Sequence, residues 1–280
     1  MSSRIRTVRE VIHPEMVSDG AGVKLRRGIA SRALDYLDPF LLFDHFGSDN
    51  PDDYVAGFPT HPHRGIETVT YMLSGVVNHR DSLGHSGSIG AGDVQWMTAG
   101  SGILHEEMPQ LRGGHLGGFQ LWVNLPAKLK MSSPRYQDYA ASSIPIVTAN
   151  NGAIVKVIAG EFQKARGPVT GIAADPAYLD ISLPAGVEVN HSIPLGHAAF
   201  AYVFEGAVDF GAGAVPSPNL VVFADGDFVE ARAGDSGTRF LLVSGKPIGE
   251  PVARYGPFVM NTQAEIREAL RDLERGTFIR

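Results

Sequence analysis

The 280-residue sequence contains no cysteine, which excludes a disulfide framework, a thiolate metal site and a cysteine nucleophile together. Any metal the chain binds must be held by nitrogen and oxygen donors. Basic charge is also scarce. Lys and Arg total 24 against 30 Asp and Glu, for a formal net charge of -6, so no cationic stripe is available to neutralise phosphates and direct nucleic-acid binding is not expected. Long apolar runs are missing as well. Met1-Ser2-Ser3-Arg4-Ile5-Arg6 leads into mixed polar sequence without the apolar stretch of a signal peptide, and no later run approaches the length of a membrane span. A soluble, cytoplasmic protein with no membrane partner is the expectation.

What the sequence does have is punctuation. Thirty-three glycines and 18 prolines are scattered between short runs rich in Val, Ile, Leu, Phe and Tyr, the pattern of an all-β barrel or sandwich. Helical spacing is confined to the end, where Ile266, Ala269, Leu270 and Leu273 share one face and Thr262 with Glu265 can form a capping box. A weak internal repeat divides the rest. Val69–Gly75, then Gly92-Asp93, then Ala99-Gly100 is echoed by Ala201–Gly206, Gly226-Asp227 and Ala233-Gly234. Two β-barrels in tandem are therefore expected, residues 1–135 and residues 136–280, the second ending in a short helix. A monomer is expected, because two packed barrels already cover much of each other's apolar surface.

Two pairs of residues carry the chemistry. In Phe58-Pro59-Thr60-His61-Pro62-His63 the two histidines are separated by one residue, and on a strand such residues share a face. His105-Glu106-Glu107 repeats the spacing, turning His105 and Glu107 one way and Glu106 the other. Two such strands facing each other across a barrel bring three imidazoles and a carboxylate to one point. That donor set suits a borderline first-row metal and leaves coordination positions open for substrate and oxygen. Fe(II) leads, with Mn, Ni, Co, Cu and Zn as alternatives. Glu67 is a second candidate for the carboxylate, which strand parity does not exclude. In the second half, matching Gly206 to Gly75 places Ser192 and Pro194 where His61 and His63 stand, so no metal site is expected there. His79, His85 and His115 read as loop histidines, Phe46, Trp96, Met97 and Trp122 as core, and Gly234-Asp235-Ser236-Gly237 as a turn rather than a nucleophile segment.

The segments His61–Val69, Gly92–Pro109 and Gln120-Leu121-Trp122-Val123-Asn124-Leu125-Pro126 closely resemble those of the pirin family. The resemblance implies two tandem cupin (jelly-roll) barrels with iron in the N-terminal one. Its ligands map onto His61, His63, His105 and Glu107, which favours Glu107 over Glu67 and leaves Glu67 as a buried carboxylate beside the ligands. It further implies a metal-dependent dioxygenase that opens quercetin-type flavonols with O2, Glu107 taking the proton of the substrate's 3-hydroxyl. The alternative it implies is a non-enzymatic, iron-dependent redox regulator that binds a transcription factor or metabolic enzyme; other cupin chemistry is a third class.

Overall fold

The computed structural model describes residues 3–110 and 114–279, and among these the strands pair antiparallel and there is a single α-helix. In chain order the first strands are β1 (Val8–Ile12), β2 (Glu15–Asp19), β3 (Val23–Ile29), β4 (Phe40–Ser48), β5 (Phe58–His63) and β6 (Ile66–Ser74). They are followed by β7 (Val77–Asp81), β8 (Ser86–Ile89), β9 (Val94–Thr98), β10 (Ile103–Pro109), β11 (Leu116–Asn124) and β12 (Arg135–Tyr139).

The chain folds as two compact units, Glu15–Ala141 with Ile248 onward, and the chain up to Pro14 with Ser142–Pro247. The central boundary lies near the sequence division at 135/136, but the two ends are exchanged. β1 pairs with the strand Asn219–Phe223 of the second barrel. The hairpin Ala253–Tyr255/Phe258–Met260 and the helix α1 (Gln263–Glu274) belong to the first. Buried polar groups explain the second exchange. Arg64, 1% exposed, donates to the carbonyls of Ser101 and Phe278 and to Asp272 Oδ2 of α1 at 2.6, 3.1 and 2.8 Å. Lys130, equally buried, spends its three protons on Gly65 O, Val259 O and Asn124 Oδ1. Several of these acceptors come from the C-terminal segment, so burying the two cations requires that segment to pack against the first unit. The capping box at Thr262 and Glu265 forms as its sequence implies.

The first unit contains a seven-stranded sheet, β12-β9-β6-β11-β4-β3-β2, and a four-stranded sheet, β5-β10-β7-β8. On one face of the larger sheet Phe43, Tyr71 and Phe119 stack their rings. The other face carries a polar row. Register places Arg27 beside Asp44, Asp44 beside Gln120, Gln120 beside Thr70 and Thr70 beside Gln95. This row faces the smaller sheet, to which Thr70 and Gln95 are bonded through Glu107 of β10 and His79 of β7. His79 is thus a buried strand residue, not a loop histidine. The second unit repeats the connectivity in a nine-stranded sheet, with Glu188–Ser192 and Ala198–Asp209 both pairing with the long strand Phe228–Gly245.

Candidate metal centre

β5 lies at the edge of its sheet, which is why it tolerates Pro59 and Pro62: a residue without an N–H costs no ladder bond there. Its partner is β10 itself. The two motif strands do not face each other across the barrel but run side by side, and His61 stands directly opposite His105. Adjacent antiparallel strands bring such residues within side-chain contact, so the imidazole rings of His61, His63 and His105 gather with centroids 4.4 to 5.0 Å apart. One nitrogen from each lies within 4.8 Å of the others.

The hydrogen bonds of these rings suit a cation. His61 Nδ1 lies 2.9 Å from the carbonyl of Pro59, which only accepts, so Nδ1 carries the proton and Nε2 presents its lone pair inward. His61 Nε2 and His63 Nε2 are 3.1 Å apart, a separation that requires a proton or a cation between them. Nitrogens bound at about 2.1 Å to one ion are themselves about 3 Å apart. Both ring nitrogens of the buried His105 lack a hydrogen-bond partner, a costly state unless something else engages them. Burial, then the neighbouring His105 and His61, hold His63 well below the ordinary histidine pKa. Burial likewise pulls His105 down to about 4, against the opposing pull of Glu107. His63 and His105 are therefore neutral at pH 7, the form that binds metal.

The two candidate carboxylates part company here. Glu107 lines the same cavity as His61 and His63, and its Oε1 accepts from Thr70 Oγ1 at 3.0 Å; it stands outside the three-histidine group itself. Glu67 points to the opposite face of the large sheet, accepting from Trp96 Nε1 at 3.2 Å and Thr98 Oγ1 at 2.8 Å. Parity counted from His61 and His63 does not carry through to it, because Gly65 breaks the chain between β5 and β6. Its φ is +80°, and a Cβ there would overlap the carbonyl of Val259. Glu67 therefore supports Trp96 and Thr98 rather than the imidazoles. Glu106 points outward, paired with Arg80 and bonded to Thr60.

The cavity beside the imidazoles measures about 530 Å³, within the usual range for small-molecule sites. Hydrocarbon from Leu25, Leu42, Phe46 and Phe58 forms much of its wall, and Trp122 sets its ring edge-on to His63 at 5.2 Å. Phe46 belongs to a core cluster and Trp122 packs against another, as expected, and both also line the cavity. Thr70, Gln120, Arg27, Asp44 and Arg254 also line it. No local spacing marks these five, which converge only through sheet register and the returning C-terminal segment.

In the second barrel register places His191 opposite Val229, as His61 is opposite His105. Val208 pairs with Ala233 as Val77 pairs with Pro109. The positions corresponding to His61, His63, His105 and Glu107 are thus His191, Ile193, Val229 and Ala231. The sequence match to Ser192 and Pro194 is one residue out of step, since both of those side chains are exposed. Likewise Gly226-Asp227 falls between Asn219–Phe223 and Phe228–Gly245, the place of the turn after β9 rather than before it. Ile193, Val229 and Ala231 join a hydrophobic core with Phe162, on which the His191 ring stacks.

Comparison with known proteins agrees with this architecture. The family described as Pirin matches residues 22–123, and the Pirin C-terminal cupin domain matches residues 178–279. The chain belongs to the pirin family. It is 45% identical to a pirin-like protein of Caulobacter vibrioides over 98% of this chain and 99% of that one. To the pirin of Rattus norvegicus it is 41% identical, over 97% and 93% of the two chains. The crystal structure of quercetin 2,3-dioxygenase from Acinetobacter baumannii superposes with a TM-score of 0.90 at 37% identity, covering 98% of this chain and 99% of that one. The tandem cupin fold expected for a pirin is the fold observed. No helix among the described residues is long and apolar enough to cross a membrane.

Proposed function

We propose that this pirin is a metal-dependent dioxygenase acting on planar enols of the flavonol class, quercetin among them. The observation that carries the reading is the convergence of three imidazoles beside a largely apolar cavity. The name of the Acinetobacter baumannii relative points to the same reaction. His61, His63 and His105 hold the ion, with Glu107 as the fourth donor, and Fe(II) is the leading metal for this set of nitrogen and oxygen ligands. When bound, a divalent ion lowers the pKa of the substrate hydroxyl and favours its enolate.

The remaining work falls to the chain. Glu107 accepts the hydroxyl proton. Thr70 fixes that carboxylate: its hydroxyl lies 3.0 Å from Glu107 Oε1 and 2.7 Å from the Gln120 side-chain amide. One proton serves both contacts when Thr70 donates to Glu107 and the amide N–H of Gln120 is turned toward the Thr70 oxygen. Leu42, Phe46 and Phe58 exclude water from the reacting face of the ring.

Flavonol-dependent oxygen uptake by iron-loaded protein tests the proposal. Glu107→Gln is expected to lose activity by about 10²-fold to 10⁴-fold, the range for removal of a general base. Glu106→Gln, changed on the outer face of the same strand, is expected to behave as wild type. Activity unchanged in Glu107→Gln and lost in Glu106→Gln would overturn the assignment. Iron-replete wild type without oxygen uptake on any flavonol would transfer the site to the redox-linked regulatory reading.

A further inference from the structure

Two guanidinium groups line the cavity, and they differ in what they hold. Arg27 is committed: Nε and Nη2 donate to Asp44 at 2.9 and 2.7 Å, and Nη2 also donates to Asp19 at 2.6 Å. Arg254 is not. Among the described residues its hydrogen bond runs from Nη1 to the backbone carbonyl of Leu41 at 3.2 Å, and its guanidinium lies 5.5 Å from the Trp122 ring centroid. Burial, above all, holds its pKa below the ordinary arginine value, against the longer-range pull of Asp35, Asp44 and Asp19 and with the help of Arg27. A half-buried cation that lines a largely apolar cavity, with no carboxylate hydrogen-bonded to it among the described residues, is an unfilled anion site. Trp122 connects the two, since the same indole lies near-perpendicular to the His63 ring at 5.2 Å and its centroid lies 5.5 Å from the Arg254 guanidinium.

We propose that Arg254 is the anion-recognition residue of this cavity, and that through it the cavity also takes a hydroxyaryl carboxylate. Its hydroxyl is directed to the imidazole end, its ring system lies along Trp122 and its carboxylate pairs with Arg254. The proposal rests on the metal-centre reading only for the position of the hydroxyl. It adds to the flavonols, which carry no carboxylate, a class of hydroxyaryl ligand that bears a distal anion. The planar guanidinium offers a fork of donors matched to a carboxylate, while the indole beneath holds its plane. Arg254 makes no contact with the ligand set and acts on the substrate alone.

The test is equilibrium binding, read by quenching of tryptophan fluorescence and checked by calorimetry. The probes are 6-hydroxy-2-naphthoate and 2-naphthol, which share the ring and hydroxyl and differ in the carboxylate. Wild type is expected to prefer the naphthoate by about tenfold to a hundredfold, the value of a charge-assisted hydrogen bond. Arg254→Gln is expected to bring the preference within about twofold of unity. Arg254→Lys, which keeps charge without the fork, is expected to retain part of it. Wild type that binds the two probes equally, or Arg254→Gln that keeps the full preference, overturns the proposal without reference to any variant's stability. Repeating the titration on His61→Ala protein separates the two readings. A carboxylate preference that survives loss of the metal ligand stands on Arg254, whereas loss of oxygen uptake bears only on the metal centre.

Discussion

Replacing Glu67 by Gln tests whether this carboxyl is a structural acid or a metal ligand. Its side chain is 2% exposed and receives two hydrogen bonds, from Trp96 and Thr98. Burial nevertheless dominates these bonds and raises its pKa from 4.5 to about 6. The folded state therefore holds the proton more tightly than the unfolded chain does. The stabilisation is fully present below pH 4.5 and is lost as pH rises through 6. A displacement of that size corresponds to about 2 kcal/mol. An amide stands in for the protonated acid: Trp96 donates to its oxygen, and the Thr98 hydroxyl turns to accept from its N–H. Glu67→Gln is thus expected to match wild type near pH 4 and to exceed it by up to about 2 kcal/mol at pH 7.5, measured by guanidinium-chloride unfolding across that range. Metal content, read by plasma emission, is expected to be unchanged. A variant less stable than wild type at pH 7.5, or one depleted of metal, would show that Glu67 works as an ionised group and refute the reasoning.

His105→Ala is expected to lower bound metal from about one ion per chain to a small fraction while the circular dichroism of the barrels is retained, since a chain with cores of this size does not depend on metal to fold. A content near two ions in wild type would contradict the apolar character of Ile193, Val229 and Ala231 in the second barrel. Arg64→Ala removes a buried cation from Asp272 and leaves the Ser101 and Phe278 carbonyls without their donor; a loss of about 3–5 kcal/mol is expected in thermal unfolding, and a loss under about 1 kcal/mol would mean that α1 is held by its apolar face alone.

The parts of this molecule legible in its sequence are those in which spacing along one strand decides the outcome. His61 with His63, and His105 with Glu107, share faces because side chains alternate, and Glu106 turns outward for the same reason. Parity fails at Gly65, where one residue with positive φ reverses the sheet face presented by everything after it, so Glu67 could not be placed by counting. The repeat was readable in outline but not strand by strand or residue by residue: Gly226-Asp227 falls one strand later than Gly92-Asp93, and β-bulges in Ala198–Asp209 shift the register that counting assumes constant. Arg254, Arg27 and Asp44 were hidden for a different cause. They are brought together by pairings that span much of the chain, and no periodicity records which segments will become neighbours.

The exchange of chain ends has a consequence for how the protein is made. Residues 15–141 leave the ribosome long before the C-terminal segment that begins at Ile248, an interval of order ten seconds at about 5–20 residues per second. Throughout that time Arg64 and Lys130 lack Asp272, Phe278 and Val259 as partners, and the cavity has no Arg254. The nascent barrel that carries the three histidines therefore lacks the C-terminal part of its cavity wall until that segment emerges. A chain that stalls short of residue 248 would hold Arg64 and Lys130 without these C-terminal partners, its two interior cations only partly satisfied.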